Sequence, residues 1–106
     1  MKKIAILMCN RTSGKCSSMG CFRAYNNKDK AFERYMNEDV ELAAFFSCAR
    51  CFEEKEEKIY SIAERLKDNG IETVHFGACA INCKADRYEE NKKIFEDLGI
   101  EVIEGT

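Results

Sequence analysis

Continuous apolar runs alternate with amphipathic segments along this chain. The run at 4–9 contains no charged or hydroxyl-bearing residue, which is typical of a central parallel strand covered on both faces. The mostly apolar segments 40–46 and 71–76 predict a second and a third strand, and the segment 100–103 predicts a fourth. The chain is therefore expected to build a sheet from four short strands.

The segments between the predicted strands have helical periodicity. Residues 21–37 repeat aromatic and apolar side chains about one turn apart, with charged residues between them, and predict one helix. In the second segment, Ile59, Ile62 and Leu66 recur on one face of an amphipathic helix. Gly70 is expected to end this second helix, because glycine readily adopts the left-handed conformation that follows a helix.

A third helix completes an alternating order of strands and helices. It is predicted to begin near Asp86, with an acidic residue three positions later as in a capping box, and to end at Gly99. The segment 78–85 before it is predicted to be a loop. The order β-α-β-α-β-α-β predicts one α/β domain over 1–106, a three-layer sandwich whose four-stranded parallel sheet has a Rossmann/flavodoxin-like topology.

Composition and charge narrow the classes of partner. The chain has 17 basic and 19 acidic residues and a net charge of −2, so no basic footprint for nucleic acid or for a membrane surface is expected. The N-terminal apolar run is too short for a secretion signal, and no stretch is long enough to span a bilayer. We therefore expect a cytoplasmic protein with neither nucleic acid nor membrane as a partner.

The cysteines are the strongest indication of function in this sequence. An odd number of cysteines in a cytoplasmic protein favours metal binding or redox chemistry over a disulfide framework. Parallel strands all point the same way, so the segments that leave their carboxyl ends share one edge of the sheet. Cys9 ends the first predicted strand, each of the other cysteines follows a predicted strand or lies at the start of the next helix, and we expect them to gather at that edge. The seven are Cys9, Cys16, Cys21, Cys48, Cys51, Cys79 and Cys83.

Cys48 and Cys51 form a C-x-x-C motif that is predicted to open the second helix. The amino end of a helix and the neighbouring Arg50 both favour the thiolate form of cysteine. Cys9 and Cys79 follow other strands, and together the four thiols form a set that suits zinc or an iron–sulfur cluster. The residues themselves do not distinguish between these two cofactors.

Other chemistries are less well supported by the residues. The main alternative is a thiol–disulfide redox protein that uses Cys48 and Cys51 with Cys79, although a thioredoxin fold would need a proline that this chain lacks. A phosphatase-like loop at 9–15 would carry Lys15 where arginine should clamp phosphate. A third alternative is an interaction domain whose cysteines are relics of an ancestral site.

His75 is the single histidine of the chain. Strand alternation places it on the face opposite Val74 and Phe76, two residues before the loop that carries Cys79. A lone histidine in a strand usually serves as a hydrogen-bonding group, so we expect His75 to support the site and not to ligate a metal.

Several segments together resemble the CGGC-domain family. The resemblance lies in the cysteine pattern at 9–22, Phe-Phe-Ser-Cys-x-x-Cys at 45–51, His-Phe-Gly-Ala-Cys at 75–79 and the terminal segment 99–106. It implies a small prokaryotic protein with a metal-binding role, with zinc as the expected metal, and it implies no particular reaction. By this likeness the family's cysteines correspond to Cys9, Cys16, Cys21, Cys48, Cys51 and Cys79.

Two segments depart from the family pattern. The two glycines of the naming motif are Ala49 and Arg50 here, which keeps the spacing of the thiols but adds a positive charge. Relatives tend to carry a cysteine-proline-histidine stretch after the third strand, whereas this chain has Asn82 followed by Cys83. A histidine ligand is therefore not expected there, and Cys83 is the candidate to replace it.

Overall fold

The computed structural model describes residues 2–8, 19–47, 56–81 and 88–105. Within these ranges the chain alternates between strands and helices, as the sequence pattern predicts. The elements are β1 (Lys2–Met8), α1 (Met19–Asn27), a 3-10 helix (Lys30–Tyr35), β2 (Val40–Ser47), α2 (Glu56–Asp68), β3 (Ile71–Phe76), α3 (Ala78–Ile81), α4 (Tyr88–Asp97) and β4 (Glu101–Glu104).

The four strands form one parallel sheet in the order β2-β1-β3-β4. This confirms the predicted α/β class and the all-parallel, four-stranded sheet. β1 lies in the interior and pairs with β2 on one side and with β3 on the other. The assignment to a Rossmann or flavodoxin-like topology stays a prediction.

Helices cover both faces of the sheet, because the side chains of β1 alternate between two apolar clusters. Ala5 and Leu7 face the cluster built by α2 and α4, where Ile59 and Phe95 are fully buried. The opposite face carries Ile4 and Ile6, which pack against α1 and the 3-10 helix. The buried partners on that second face are Ala24, Phe32 and Tyr35.

A β-bulge adjusts the register between β1 and β2. Ile4 pairs with Leu42 but the next residue, Ala5, pairs with Ala44, so Ala43 is the extra residue. As a result, Leu42 and Phe45 both pack against the α1 face although they are three positions apart. The bulge keeps the apolar positions of this edge strand directed at the two clusters.

The single helix predicted over 21–37 is wrong in its second half. α1 ends at Asn27, and Lys28 and Lys30 have φ values of 55° and 52°. The ammonium group of Lys28 donates a hydrogen bond of 2.9 Å to the carbonyl of Tyr25, which compensates for the unusual backbone. The break redirects the chain into the 3-10 helix, whose Phe32 then reaches the sheet.

The turns that follow α2 and α4 behave as the sequence predicts. Gly70 and Gly99 have φ values of +85° and +80°, in the left-handed region that glycine adopts without strain. Their amides donate to the carbonyls of Lys67 and Glu96, which closes the last turn of each helix. Among the described helices, none combines the length and the apolar character needed to cross a bilayer.

Candidate metal site at the carboxyl edge of the sheet

The carboxyl ends of β2 and β1 lie side by side. Met8, the last residue of β1, pairs with Ser47, the last residue of β2. In the sequence, Cys9 directly follows Met8 and Cys48 directly follows Ser47. Parallel neighbours are about 4.8 Å apart, so two of the cysteine-bearing segments leave the sheet from adjacent points.

The carboxyl end of β3 lies on the other side of β1. Gly77 donates its amide to the carbonyl of Leu7 at 2.9 Å, which extends the pairing of the two strands by one residue. The carbonyl of Gly77 then accepts from the amides of Ala80 and Ile81 at 2.9 and 3.1 Å, and α3 begins. The predicted loop at 78–85 is therefore wrong for 78–81, because four residues are too few for helical periodicity to be visible in a sequence.

Cys79 lies in this short helix, and its thiol is half-buried. Its Sγ is 3.6 Å from the point that a Cβ on Gly77 would occupy, and the carbonyl oxygen of Leu7 is 3.4 Å from the same point. The sulfur therefore lies beside the junction of β3 with β1. A Cβ at Gly77 would meet both atoms at ordinary van der Waals distance, so the three groups lie close together.

The helices after β1 and β3 lie on opposite faces of the sheet. Ala24 of α1 packs in the cluster on one face, whereas Phe95 of α4 packs in the cluster on the other. Connections that diverge in this way leave a crevice between the two carboxyl ends, where parallel α/β sheets bind ligands. The sulfur of Cys79 lies beside the junction of β3 and β1 where such a crevice is expected, and Cys9 follows β1 in the sequence.

Cys21 is the third residue of α1, which agrees with its predicted place at the start of a helix. Its half-buried side chain packs against the apolar cluster on the α1 face of the sheet. Next to it, the ring of Phe22 stacks on Phe45 of β2 with the ring centroids 5.1 Å apart. Cys21 therefore has a packing role on this face, whatever else it does.

The remaining predicted ligands, and the predicted opening of a helix by the C-x-x-C motif, lie outside the described residues. Within the described ranges, no group of three or more histidine, cysteine or acidic side chains converges to hold a metal ion. The described part of the chain thus contains the frame around the candidate site and one thiol beside it. The predicted ligands outside it are Cys9, Cys16, Cys48, Cys51 and Cys83.

His75 is fully buried on the α1 face of β3. Its Nε2 lies 2.7 Å from the hydroxyl of Tyr35, and its Nδ1 lies 3.1 Å from the carbonyl oxygen of Gly105. The ring of Phe32 packs against the imidazole, with the centroids 4.5 Å apart. Both nitrogens are hydrogen-bonded within the protein, as expected for a supporting group, and neither is presented to a metal.

The partners of His75 determine its tautomer. A carbonyl oxygen only accepts hydrogen bonds, so Nδ1 carries the proton and donates it to Gly105. Burial lowers the pKa of His75 from 6.5 to about 4, against the opposing effect of the Gly105 hydrogen bond. The ring is therefore neutral near pH 7, and Nε2 accepts from Tyr35, whose pKa burial raises to about 12.

Sequence reasoning missed a second polar contact at this edge. Tyr88, the first residue of α4, donates its hydroxyl to the carboxylate of Glu104 at the end of β4, and its ring lies 5.6 Å from that of Phe76. Burial and the bond to Glu104 both raise the pKa of Tyr88. The available signal was weak, because Tyr88 matches the apolar pattern of its helix and its partner lies on a strand paired only in the folded protein.

These features define a class of protein: a small parallel α/β domain with cysteine-bearing segments at the carboxyl edge of its sheet. The chain belongs to the CGGC domain family, which matches residues 3–106. It is similar to an uncharacterized protein of Methanocaldococcus jannaschii, with 33% identity over 113 aligned residues that cover 98% of this chain and 85% of that protein. No solved structure gives a significant match.

Proposed function

We propose that this protein binds a metal centre through cysteine thiolates at the carboxyl edge of its sheet. The proposed ligands are Cys9, Cys48, Cys51 and Cys79. The observation that supports this best is the arrangement of strand ends around β1, where Met8 is paired with Ser47 and the sulfur of Cys79 lies beside the junction with β3.

Four thiolates suit zinc, which prefers a closed tetrahedral set of sulfur ligands in structural sites. The same set would hold an iron–sulfur cluster, which is the alternative cofactor. Thiols must lose their protons to bind either one, so metal affinity is expected to fall as the pH is lowered. Cys16, Cys21 and Cys83 are the remaining candidate ligands, as replacements or as part of a second group.

The strand order assigns the central role in this proposal to Cys9. Cys48 and Cys79 follow strands on opposite sides of β1, two strand spacings or about 10 Å apart. Thiolates that share one zinc ion lie within about 4.6 Å of each other, because each Zn–S bond is about 2.3 Å long. We therefore expect a shared site to lie near the end of β1, whose next residue is Cys9.

Elemental analysis of protein purified without oxygen tests the proposal. We expect close to one zinc ion, or a stoichiometric iron and sulfide content, per chain, with loss of the metal when Cys9, Cys48 and Cys79 are replaced by serine. Substoichiometric amounts of both zinc and iron in the unmodified protein would contradict it. A Cys21→Ala variant is the comparison, since Cys21 lies outside the proposed set of four and packs on the α1 face; loss of the metal in this variant would add Cys21 to the ligands.

A thiol–disulfide redox function is the second candidate. It is favoured by the C-x-x-C spacing of Cys48 and Cys51 and by the half-buried thiol of Cys79. Rapid and selective alkylation of one of these cysteines near neutral pH, together with a measurable two-electron potential, would support it. We also propose a cytoplasmic location, and the balanced charge supports a role without nucleic-acid partners; both suit either function.

A further inference from the structure

We infer that His75 is a positioning residue that ties the segment after β4 across the end of β3, and thereby fixes the backbone that carries Cys79. Only the expected effect of His75 on metal affinity rests on the proposed function. The tie itself is a property of the folded chain, and it is testable without metal.

The tie consists of two hydrogen bonds that involve Gly105, one through its carbonyl and one through its amide. His75 donates from Nδ1 to the carbonyl of Gly105 at 3.1 Å, and the amide of Gly105 donates to the carbonyl of Phe76 at 2.8 Å. Gly105 has a φ of +103°, which other residues rarely adopt. Gly105, the described residue after β4 and here called the tail, is therefore held in one specific conformation against Phe76, the last residue of β3.

The same peptide group is held from its other side. Phe76 accepts from the tail through its carbonyl, while Gly77 donates its amide to Leu7 of β1 at 2.9 Å. The carbonyl of Gly77 accepts the bonds that begin α3, two residues before the sulfur that lies beside the β1 junction. Releasing the tail would therefore free one side of the peptide from which Cys79 is positioned.

The ring of His75 is well suited to hold the tail. Tyr35 donates to Nε2 and Phe32 packs against the imidazole, so the orientation of the ring and the proton on Nδ1 are both determined. An aromatic or aliphatic side chain would fill the same buried space without the cost of burying a polar ring. Histidine at this position accepts a hydrogen bond from Tyr35 and donates one to Gly105. The second bond has a purpose if the tail must be held at this point.

The matched pair His75→Phe and Tyr35→Phe tests the inference on reduced protein without metal. Both variants remove the hydrogen bond between Tyr35 and His75, but only His75→Phe also removes the bond to the carbonyl of Gly105. Peptide-resolved mass spectrometry would measure the alkylation rate of Cys79 and the amide exchange of the segments around Gly77 and Gly105. We expect increases of about tenfold in His75→Phe, and of less than about twofold in Tyr35→Phe.

A second variant keeps the inference falsifiable if His75→Phe does not fold. Gly105→Ala strains the tail at its positive φ without altering the core, and it should accelerate the labelling of Cys79 in the same direction. Labelling and exchange that are unchanged in both folded variants would overturn the inference. So would equal acceleration in Tyr35→Phe, because that result would reflect a general loss of stability.

Zinc titration then separates this inference from the proposed function. If the unmodified protein binds zinc, His75→Phe should bind the same number of ions about tenfold more weakly, while Tyr35→Phe should bind them like the unmodified protein. Unchanged affinity in His75→Phe would overturn the consequence for the metal. If the unmodified protein binds no metal, the proposed function fails, and the labelling result still decides whether His75 positions Cys79.

Discussion

The two edges of the sheet differ in how the chain connects across them. At the amino edge, α2 is joined to β3 by two residues and α4 to β4 by three, and glycine ends each helix. At the carboxyl edge, the segments 9–18 and 48–55 follow β1 and β2 in the sequence, lie outside the described residues and carry four of the seven cysteines. The turns at the amino edge need only the correct backbone conformation, whereas the segments that follow the carboxyl ends of the strands carry the candidate functional groups.

The two edges also differ in the side chains that they carry. The amino edge has a groove of about 390 Å³ lined mainly by charged side chains and glycine, and the ammonium of Lys2 lies 3.9 Å from the carboxylate of Glu101 there. No cysteine occurs in the turns at this edge. The carboxyl edge has the half-buried thiol of Cys79 and the tail held by His75. The amino edge thus closes the fold, and the carboxyl edge is the place to look for function.

Replacement of Cys9, at the carboxyl edge, should have the largest effect of all the replacements considered, and the effect should be on zinc affinity. We expect Cys9→Ser to weaken zinc binding by a factor of about 100 to 1000, since a structural zinc site distributes more than about 10 kcal/mol over four ligands. Competition with a chromogenic chelator would measure the change. Cys21→Ala should change affinity by less than about threefold, and an equally large loss in that control would contradict the central role of Cys9.

Acidification should destabilise the protein through His75. Its folded pKa of about 4 lies below the unfolded value of 6.5, so its contribution is complete above pH 6.5 and is lost as the pH falls through 4. The shift corresponds to about 3 kcal/mol. Urea unfolding at pH 7 and pH 4.5 should show this loss in the unmodified protein and a smaller loss in His75→Phe, where only other groups titrate. Equal losses in the two proteins would contradict the assignment.

Glycine replacements at the amino edge should have a smaller effect, confined to stability. Gly70→Ala and Gly99→Ala each introduce a Cβ at a positive φ, and we expect each to cost about 1 kcal/mol. Urea midpoints would measure the cost, with Gly20→Ala as a control because nothing lies within 4 Å of its Cβ position. If metal content or Cys79 reactivity also changed, the separation of the two edges would be wrong.

Removal of the surface ion pair should have the smallest effect. Lys2→Met breaks a 3.9 Å contact between two partly exposed side chains, and such pairs contribute less than about 1 kcal/mol. We expect a change below about 0.5 kcal/mol in the free energy of unfolding, which decreases further at high salt. A larger loss would show that the ammonium of Lys2 also contributes through its contact with the ring of Tyr35, whose centroid lies 5.5 Å away.

Much of the fold follows from local pattern. The strand predicted at 71–76 coincides with β3, and the left-handed conformations at Gly70 and Gly99 agree with the predicted helix ends. These features depend on side-chain alternation and on the conformational freedom of single residues. The predicted helix at 21–37 was wrong because the turn at Lys28 is stabilised by contacts with Tyr25 that apolar periodicity does not reveal.

The candidate site could be anticipated only in outline. The sequence showed that the cysteines follow strands, and the parallel sheet confirms that those strands end at one edge. It did not show that Cys79 belongs to a helix, because α3 takes its first bonds from Gly77 after that residue has paired with β1. The grouping of the other thiols stays a prediction.

By itself the sequence determined the α/β class, the number of strands and the order in which strands precede cysteine-bearing segments, because each depends on the periodicity and order of neighbouring residues. Tertiary structure alone decided that β1 lies between β2 and β3, and with it the role proposed for Cys9. It also decided that His75 is bonded to Tyr35 and Gly105, forty and thirty residues away. Such pairings depend on which segments meet in space, and no local pattern of side chains encodes that.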